Sequence, residues 1–351
     1  MKYLTQIKKL QVELSNFCNA SCIGCRRVDH RTLTEKYELY NSPATFISLD
    51  IIQKILDSDH FKDIVEVEFC GTIDEPLAHP DFLEILQIII NFNPNLMIRI
   101  HTNASIRNAT FFKKLAKLLI RFQKHEVRFS IDGLEESHKL YRGTVDYAKI
   151  MNHATVFIEN GGWATWQMLQ FPWNEHEVET CNQLAKDMGF KKFVFRQDRT
   201  HASTFKVDLI KLKRKLNTPA PPKVPPTEYE YPDDPIDVNC HYQNEGMVFL
   251  NWEGKLYPCC FMSNMNLTRL NNMSVQYNKA ILGKYGKDFN NLHFKTVDEI
   301  LSSPWFENDL VESWNNNYEN RENEKLIVCV KSCGKKAPPI SSHIKAEIIN
   351  G

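Results

Sequence analysis

Two hydrophobic periods alternate along the first 200 residues. KLQVEL, IVEVEF, LMIRIH, EVRFSI, TWQMLQF and KKFVFR are short runs rich in Val, Ile and Phe, and they predict strands. Between several of them, SLDIIQKIL, DFLEILQIIINF and FFKKLAKLLIRFQ place apolar residues three and four apart, which predicts helices, with Ser48 as an N-cap candidate. NEHEVETCNQLAKDMG opens with Asn174 and Glu177 at capping-box spacing and closes on Gly189, a helix-stop residue. Six strands alternating with helices imply a parallel sheet with right-handed crossovers. Eight such units close a full barrel; six predict an open, partial (β/α)6 barrel of the TIM-like α/β class.

The pattern changes after residue 205. NTPAPPKVPPTEYEYPDDP holds seven prolines in nineteen residues and reads as an extended linker. GMVFLNWEGKLYPCC follows, a hairpin turning at Glu253-Gly254. The predicted organisation is a barrel over 1–205, a linker over 206–236, a small domain over 237–340 and a tail over 341–351.

Composition narrows the function classes. The 43 basic and 43 acidic residues cancel, which argues against a broad nucleic-acid-binding face. The N-terminus MKYLTQIKKLQVELS lacks the apolar run of a signal peptide. The longest apolar stretch, FLEILQIIINF, is too short to span a bilayer. The expectation is a cytoplasmic protein with no membrane partner. In a reducing compartment its ten cysteines point to metal ligation or catalysis rather than disulfides.

Three of those cysteines fall within eight residues, in VELSNFCNASCIGCRR, on the loop after the first predicted strand. Three thiolates on one loop can grip three corners of a cubane iron–sulfur cluster and leave the fourth iron open, whereas a structural zinc site takes four protein ligands. The loop also belongs to the C-terminal mouth of the barrel, where such folds keep their active sites. Cys-x3-Cys-x2-Cys in this position resembles the radical S-adenosylmethionine superfamily. The resemblance implies that Cys18, Cys22 and Cys25 hold a [4Fe–4S] cluster whose open iron chelates S-adenosylmethionine. An electron from the cluster then yields a 5′-deoxyadenosyl radical that abstracts hydrogen from a substrate. The residue before the third cysteine is usually aromatic in that family; here it is Gly24, which leaves the adenine contact to Phe17 or Ile23.

Further segments are similar to the family. FCGTIDEPLAHPDF looks like its Gly-Gly-Glu-Pro segment, so that either Asp74 or Glu75 accepts from the methionine amino group. VRFSIDGLEESHKLYRG is similar to members in which a strand-end Ser and a downstream Arg meet the ribose and the carboxylate, roles that fall to Ser130 and Arg142. An Arg suits a carboxylate because its planar fork donates two parallel hydrogen bonds. Asp132 either caps the next turn or faces the substrate. HTNAS resembles the Thr-Asn-Gly turn, with Asn103 read as a turn former. Arg196, Asp198, Arg199 and His201, at or beyond the sixth strand, are candidates for substrate contact or proton transfer; Asp132, Asp198 and Arg199 are the catalytic candidates.

Cys240 is followed by thirteen residues, Gly254, four residues and Cys259; the pair Cys329-x3-Cys333 comes later. This resembles the SPASM and twitch extensions of radical S-adenosylmethionine enzymes and implies one auxiliary [4Fe–4S] cluster on Cys240, Cys259, Cys329 and Cys333, with Cys259 preferred over its neighbour Cys260. Two clusters and S-adenosylmethionine are thus the expected cofactors. An auxiliary cluster with four protein ligands relays an electron, which favours net oxidation, a dehydrogenation or an oxidative crosslink. The expected partners are a small-molecule substrate, or a peptide delivered by a separate protein since little chain precedes the barrel, and an electron donor such as flavodoxin or ferredoxin. The rival expectation is a catalytically inactive barrel carrying a zinc-binding interaction module.

Overall fold

The computed structural model describes residues 4, 6–22, 25, 28–29, 34–35, 43–70, 72–197, 237–263, 281–315, 326–334 and 344–347. Ile23, Gly24, Asp198, Arg199, His201 and the whole linker lie outside the described residues. The main run is β1 (Lys9–Val12), α1 (Leu49–Leu56), β2 (Glu66–Phe69), α2 (Phe82–Phe92), β3 (Met97–Thr102), α3 (Ala109–Leu119) and β4 (Lys124–Ser130). It continues through α4 (Glu135–Arg142), α5 (Tyr147–Glu159), β5 (Ala164–Gln170), α6 (Val178–Asp187) and β6 (Lys192–Gln197). Strands β1 to β6 pair in sequence order, all parallel, as a partial barrel requires.

Both edges of this sheet are extended. β7 (Met247–Leu250) lies parallel to β1, with Lys9 opposite Met247 and Val12 opposite Leu250. β8 (Leu256–Tyr257) returns antiparallel to β7 through a turn in which Gly254 has φ +70°. After α7 (Val297–Leu301) and α8 (Ile327–Cys333), β9 (Ile344–Glu347) pairs antiparallel with β6, so residues assigned to the tail form an edge strand. The result is one nine-stranded sheet in the order β8-β7-β1-β2-β3-β4-β5-β6-β9.

Alternation along the strands separates two environments. Leu10, Val12, Val67, Phe69, Ile98, Ile100, Val127, Phe129, Trp166 and Phe193 turn outward and form the core with the helices. The inner face is polar. Arg99 pairs with Glu66 and Glu126, Arg128 donates to Glu126, and Thr165 donates to the same carboxylate at 2.8 Å. A closed TIM barrel fills this space with branched apolar side chains. Here Arg99, Arg128, Glu66 and Glu126 each meet an opposite charge, which is the condition for burying them at tolerable cost.

Two local expectations are met differently. Ser48 sits at the N-cap of α1 in extended backbone, but its side chain accepts no capping bond. Asn174 and Glu177 form no capping box, because other partners take both side chains. Asn174 donates to the carbonyls of Asp132 and Leu169, and Glu177 accepts from Leu134 N–H and Ser137 Oγ. They stitch the loop after β5 to the loop after β4. Gly189 does stop α6: it has φ +85°, its N–H donates to Lys186 O at 2.9 Å, and Phe190 N–H donates to Ala185 O at 3.0 Å, a Schellman ending.

Candidate functional site

The loop after β1 is fixed from below by two buried carboxylates. Asp74 accepts from the N–H groups of Leu14 (2.8 Å) and Ser15 (3.2 Å), and Glu13 accepts from Ile73 N–H at 2.8 Å. The loops leaving β1 and β2 are therefore clamped reciprocally. Glu75 ties in the third loop. Its Oε1 accepts from Thr102 Oγ1 (2.5 Å) and Leu77 N–H (3.3 Å), and its Oε2 accepts from Asn103 N–H (2.7 Å). Its own N–H donates to Phe17 O at 2.8 Å, next to the first cysteine of the triplet.

On this platform Cys18, Cys22 and Cys25 stand close enough to act on one another electrically. Burial pushes the Cys18 thiol up, Glu75 and Cys22 push it further, and Asn103 Nδ2 approaches its sulfur at 3.6 Å. Burial also raises Cys22, against the pull of Arg142, to about 11; Arg142 Nη1 lies 3.8 Å from its sulfur. Neutral thiols crowded into such a place are poor donors, but a cationic group bound between them would draw out all three protons. The donor set thus fits a cluster with three protein ligands. The loop is also pressed against Gly143, at φ +68°, where an added Cβ would collide with Ser21 Oγ, so only glycine serves there.

Arg142 is held in place. Its Nε donates to Asp132 Oδ2 at 2.6 Å, and its guanidinium lies 5.5 Å from the centre of the Tyr141 ring. Burial works against its charge, yet Asp132 and Cys22 hold its pKa above the ordinary value. Asp132 Oδ1 accepts from Leu169 N–H at 2.6 Å, so both oxygens are engaged by the protein. Ser130 is the half-buried last residue of β4, opposite Gln167.

Asn103, read from sequence as a turn former, also reaches Cys18, and it donates to Asn19 Oδ1 at 2.9 Å. The positive φ of Ala104 next to it, +55°, lies in the turn that presents this side chain. No local signal in HTNAS names a sulfur partner 85 residues away.

In the C-terminal part, Cys240, Cys259, Cys329 and Cys333 line one cavity together with Tyr242 and Trp314. Burial pushes Cys329 up to about 12, helped by Cys240; it raises Cys259 as well, helped by Cys260, Cys329 and Cys240. Cys333 is raised first by its hydrogen bond with Cys240. Cys260 acts on Cys259 and also on Tyr242 and on Cys70, the residue after β2. All ten cysteines are free thiols. Among the described residues, no three His, Cys, Asp or Glu side chains are gathered as a single metal ion would need. No helix among them is long and apolar enough to cross a membrane.

A partial parallel barrel with a three-cysteine loop after its first strand defines the class to which this site belongs. Residues 12–185 match the sequence profile of the Radical SAM superfamily, and that half of the chain is a radical SAM domain. Sequence comparison with curated proteins gives no match. Solved structures similar to this chain include Streptococcus suis SuiB bound to S-adenosylmethionine, at 16% identity and TM-score 0.52 over 93% of this chain and 77% of that one. SuiB bound to the precursor peptide SuiA gives 12% identity and TM-score 0.54 over the same shares, 93% and 77%. The anSMEcpe enzyme with bound AdoMet and the Cp18Cys peptide gives 15% identity and TM-score 0.52 over 93% of this chain and 88% of that one. At these identities the likeness is one of fold.

Glu75 yields a prediction of its own. Burial, opposed by its hydrogen bonds to Thr102, Asn103 and Leu77, raises its pKa from 4.5 to about 7. Between those two values the folded apo-protein holds a proton that the unfolded chain has lost. Stability should therefore fall as pH rises from 4.5 to about 7, by a few kcal/mol, on the order of 3. Urea denaturation of the apo-protein at pH 5 and pH 7.5 measures this, and Glu75→Gln should flatten the dependence. An unchanged slope in that variant would show that another group is responsible.

Proposed function

We propose that the chain is a radical S-adenosylmethionine enzyme that oxidises a polar small molecule or a peptide side chain. The observation that carries this reading is the triplet of mutually coupled buried thiols, Cys18, Cys22 and Cys25, beside Arg142 and Asn103. A [4Fe–4S] cluster held there, with S-adenosylmethionine on its open iron, supplies the 5′-deoxyadenosyl radical chemistry of the family.

The chain's own residues bind and orient. Arg142 spends Nε on Asp132 and Nη1 on Cys22, which leaves the Nη2 edge for the carboxylate of S-adenosylmethionine. Glu75 suits the ammonium group because Oε2 accepts a single bond from the protein and keeps a lone pair. An ammonium arriving there would also favour the ionised carboxylate. Of the two candidates Glu75 takes this role, because it is the one that acts electrically on Cys18, while Asp74 holds the backbone of the loop from below. Ser130 lies at the mouth for the ribose. Asp132 acts by holding Arg142, not by touching substrate. Asp198 and Arg199 keep their proposed place beyond β6, for substrate contact.

The four cysteines around the second cavity are proposed to hold an auxiliary [4Fe–4S] cluster of the SPASM or twitch kind, which takes one electron from the substrate and makes the outcome a net oxidation. A flavodoxin or ferredoxin would supply and remove electrons. SuiB with its precursor peptide and anSMEcpe with its peptide make a peptide substrate a natural choice here as well.

The test is anaerobic reconstitution with iron and sulfide, then incubation with S-adenosylmethionine and dithionite. Accumulation of 5′-deoxyadenosine without added substrate is the expected result. Zinc in place of iron on the Cys18 loop, or no cleavage under strong reduction, would remove the reading.

A further inference from the structure

We propose that His101, held by Glu68, is the proton acceptor of the barrel lumen, and that a hydrogen-bonded line through Gln11 and Tyr242 couples its protonation to the electron held at the auxiliary cysteines. This deepens the function proposed above and rests on its auxiliary site.

The line starts at the wall of the auxiliary cavity and runs through hydrogen bonds from Tyr242 to His101. Tyr242 lines the cavity with Cys240, Cys259, Cys329 and Cys333. Its hydroxyl reaches over β1 and donates to Gln11 Oε1. Gln11 Nε2 donates to Glu68 Oε2 at 3.2 Å. Glu68 Oε1 meets His101 Nε2 at 2.9 Å. A carboxylate at that nitrogen selects the tautomer with the proton on Nε2, so Nδ1 is left as the acceptor. Nδ1 makes no hydrogen bond among the described residues. Tyr242 and Gln11 are buried, 5% and 7% exposed, while the His101 side chain keeps 17% of its surface open to the lumen. The Glu68 side chain keeps 16%, so the line is buried at the Tyr242–Gln11 end and reachable at the Glu68–His101 end.

The rest of the lumen explains why this pair is singled out. Arg99 is claimed by Glu66 and Glu126, and Arg128 by Glu126. These four groups form an ion-pair network. His101 and Glu68 lie on its edge, and Arg99 and Arg128 act on Glu68 from β3 and β4. On the other side Cys70 comes just after β2, with Glu68, Cys260, Asp74 and Glu13 acting on it. A carboxylate already paired with an Arg cannot take a substrate proton at neutral pH; an imidazole positioned by a carboxylate can.

The chemistry balances for a C–H bond next to an O–H or N–H. The hydrogen atom on carbon leaves to the nucleoside radical. The substrate radical then loses its O–H or N–H proton to His101 Nδ1 and one electron to the auxiliary site, and C=O or C=N forms. A flavodoxin- or ferredoxin-type protein later removes the electron, and solvent removes the proton. Proton and electron attract each other across a medium of low dielectric, so each transfer favours the other.

The test needs no substrate. The reconstituted chain is titrated with reductant and followed by electron paramagnetic resonance over about pH 5 to 8. A Cys18→Ala/Cys22→Ala/Cys25→Ala chain assigns the auxiliary signal. The expected result is a midpoint potential that falls with rising pH, towards about 59 mV per pH unit if each electron brings one proton. His101→Asn should make it flat, and the near-isosteric Glu68→Gln and Tyr242→Phe should at least halve the slope. A flat wild-type profile, or an undiminished slope in His101→Asn, overturns the inference and leaves the auxiliary cluster standing. Absence of any signal from the auxiliary cysteines removes that cluster, and this inference with it.

Discussion

Cys22→Ala is expected to abolish 5′-deoxyadenosine formation and to lower reconstituted iron from about eight atoms per chain to about four. The loop gives three sulfurs to one cluster, and two cannot hold it against solvent and chelators. The loss should be specific, because the substitution leaves the platform alone. Asp74 still clamps Leu14 and Ser15, Glu75 still bridges Phe17 to Thr102 and Asn103, and Arg142 still has Asp132. Circular dichroism of the apo-protein should therefore match the wild type, with a stability loss of about 1 kcal/mol at most for the buried sulfur. Cys181 supplies the contrast: it is fully buried in α6, and Cys181→Ala should cost about 1 kcal/mol of packing and no iron. If Cys22→Ala retained all the iron and still cleaved S-adenosylmethionine, the triplet would not be the cluster site.

What the sequence made legible was whatever repeats locally. Strands β1 to β6 lie where the Val-, Ile- and Phe-rich runs are, because each outer face must meet a helix, and that demand is written in consecutive residues. The polar lumen also leaves a signal in the sequence. In EVEF, MIRIHT and HEVRFS charged residues alternate with apolar ones, a period that sends Glu66, Glu68, Arg99, His101, Glu126 and Arg128 to one face. Which charge meets which is set by register between neighbouring strands, so Arg99 finding both Glu66 and Glu126 could not be read from any one segment.

The same limit applies at the site. The spacing of Cys18, Cys22 and Cys25 is local and was conspicuous. The tie from Asn103 to Cys18, the hold of Asp74 on Leu14 and Ser15, and the reach of Tyr242 to Gln11 join loops that are far apart in sequence. Asn174 and Glu177 show the converse error: their spacing was right for a capping box, but better partners were available across the mouth. The cysteines of the C-terminal part fall between these cases. Four with suggestive spacing share a cavity, and Cys260, adjacent to one of them, acts on Cys259, Cys70 and Tyr242.

Asp132→Ala is expected to lower the unfolding free energy by about 3–5 kcal/mol, the usual cost of stranding one partner of a buried ion pair. Asp132 is 1% exposed, and each of its oxygens has a separate duty. Removing Oδ2 leaves the Arg142 guanidinium buried without its counter-ion, and removing Oδ1 leaves Leu169 N–H unsatisfied at the end of β5. His138 cannot compensate. Burial lowers its pKa to about 4, so it stays neutral, and its Nδ1 already accepts from Asp132 N–H. Asp132→Asn should also be costly, because one amide oxygen cannot serve both donors. The two possible roles of this residue separate in a double-mutant cycle read by urea denaturation. If Asp132 exists to hold Arg142, Asp132→Ala/Arg142→Ala should be less destabilised than the sum of the single variants, since the second change removes the stranded charge. If Asp132 instead faced a substrate, Asp132→Ala alone would unfold within about 1 kcal/mol of the wild type, as surface substitutions generally do. The geometry predicts the first outcome, because each Asp132 oxygen is held at 2.6 Å by a protein donor, Arg142 on one side and Leu169 N–H on the other.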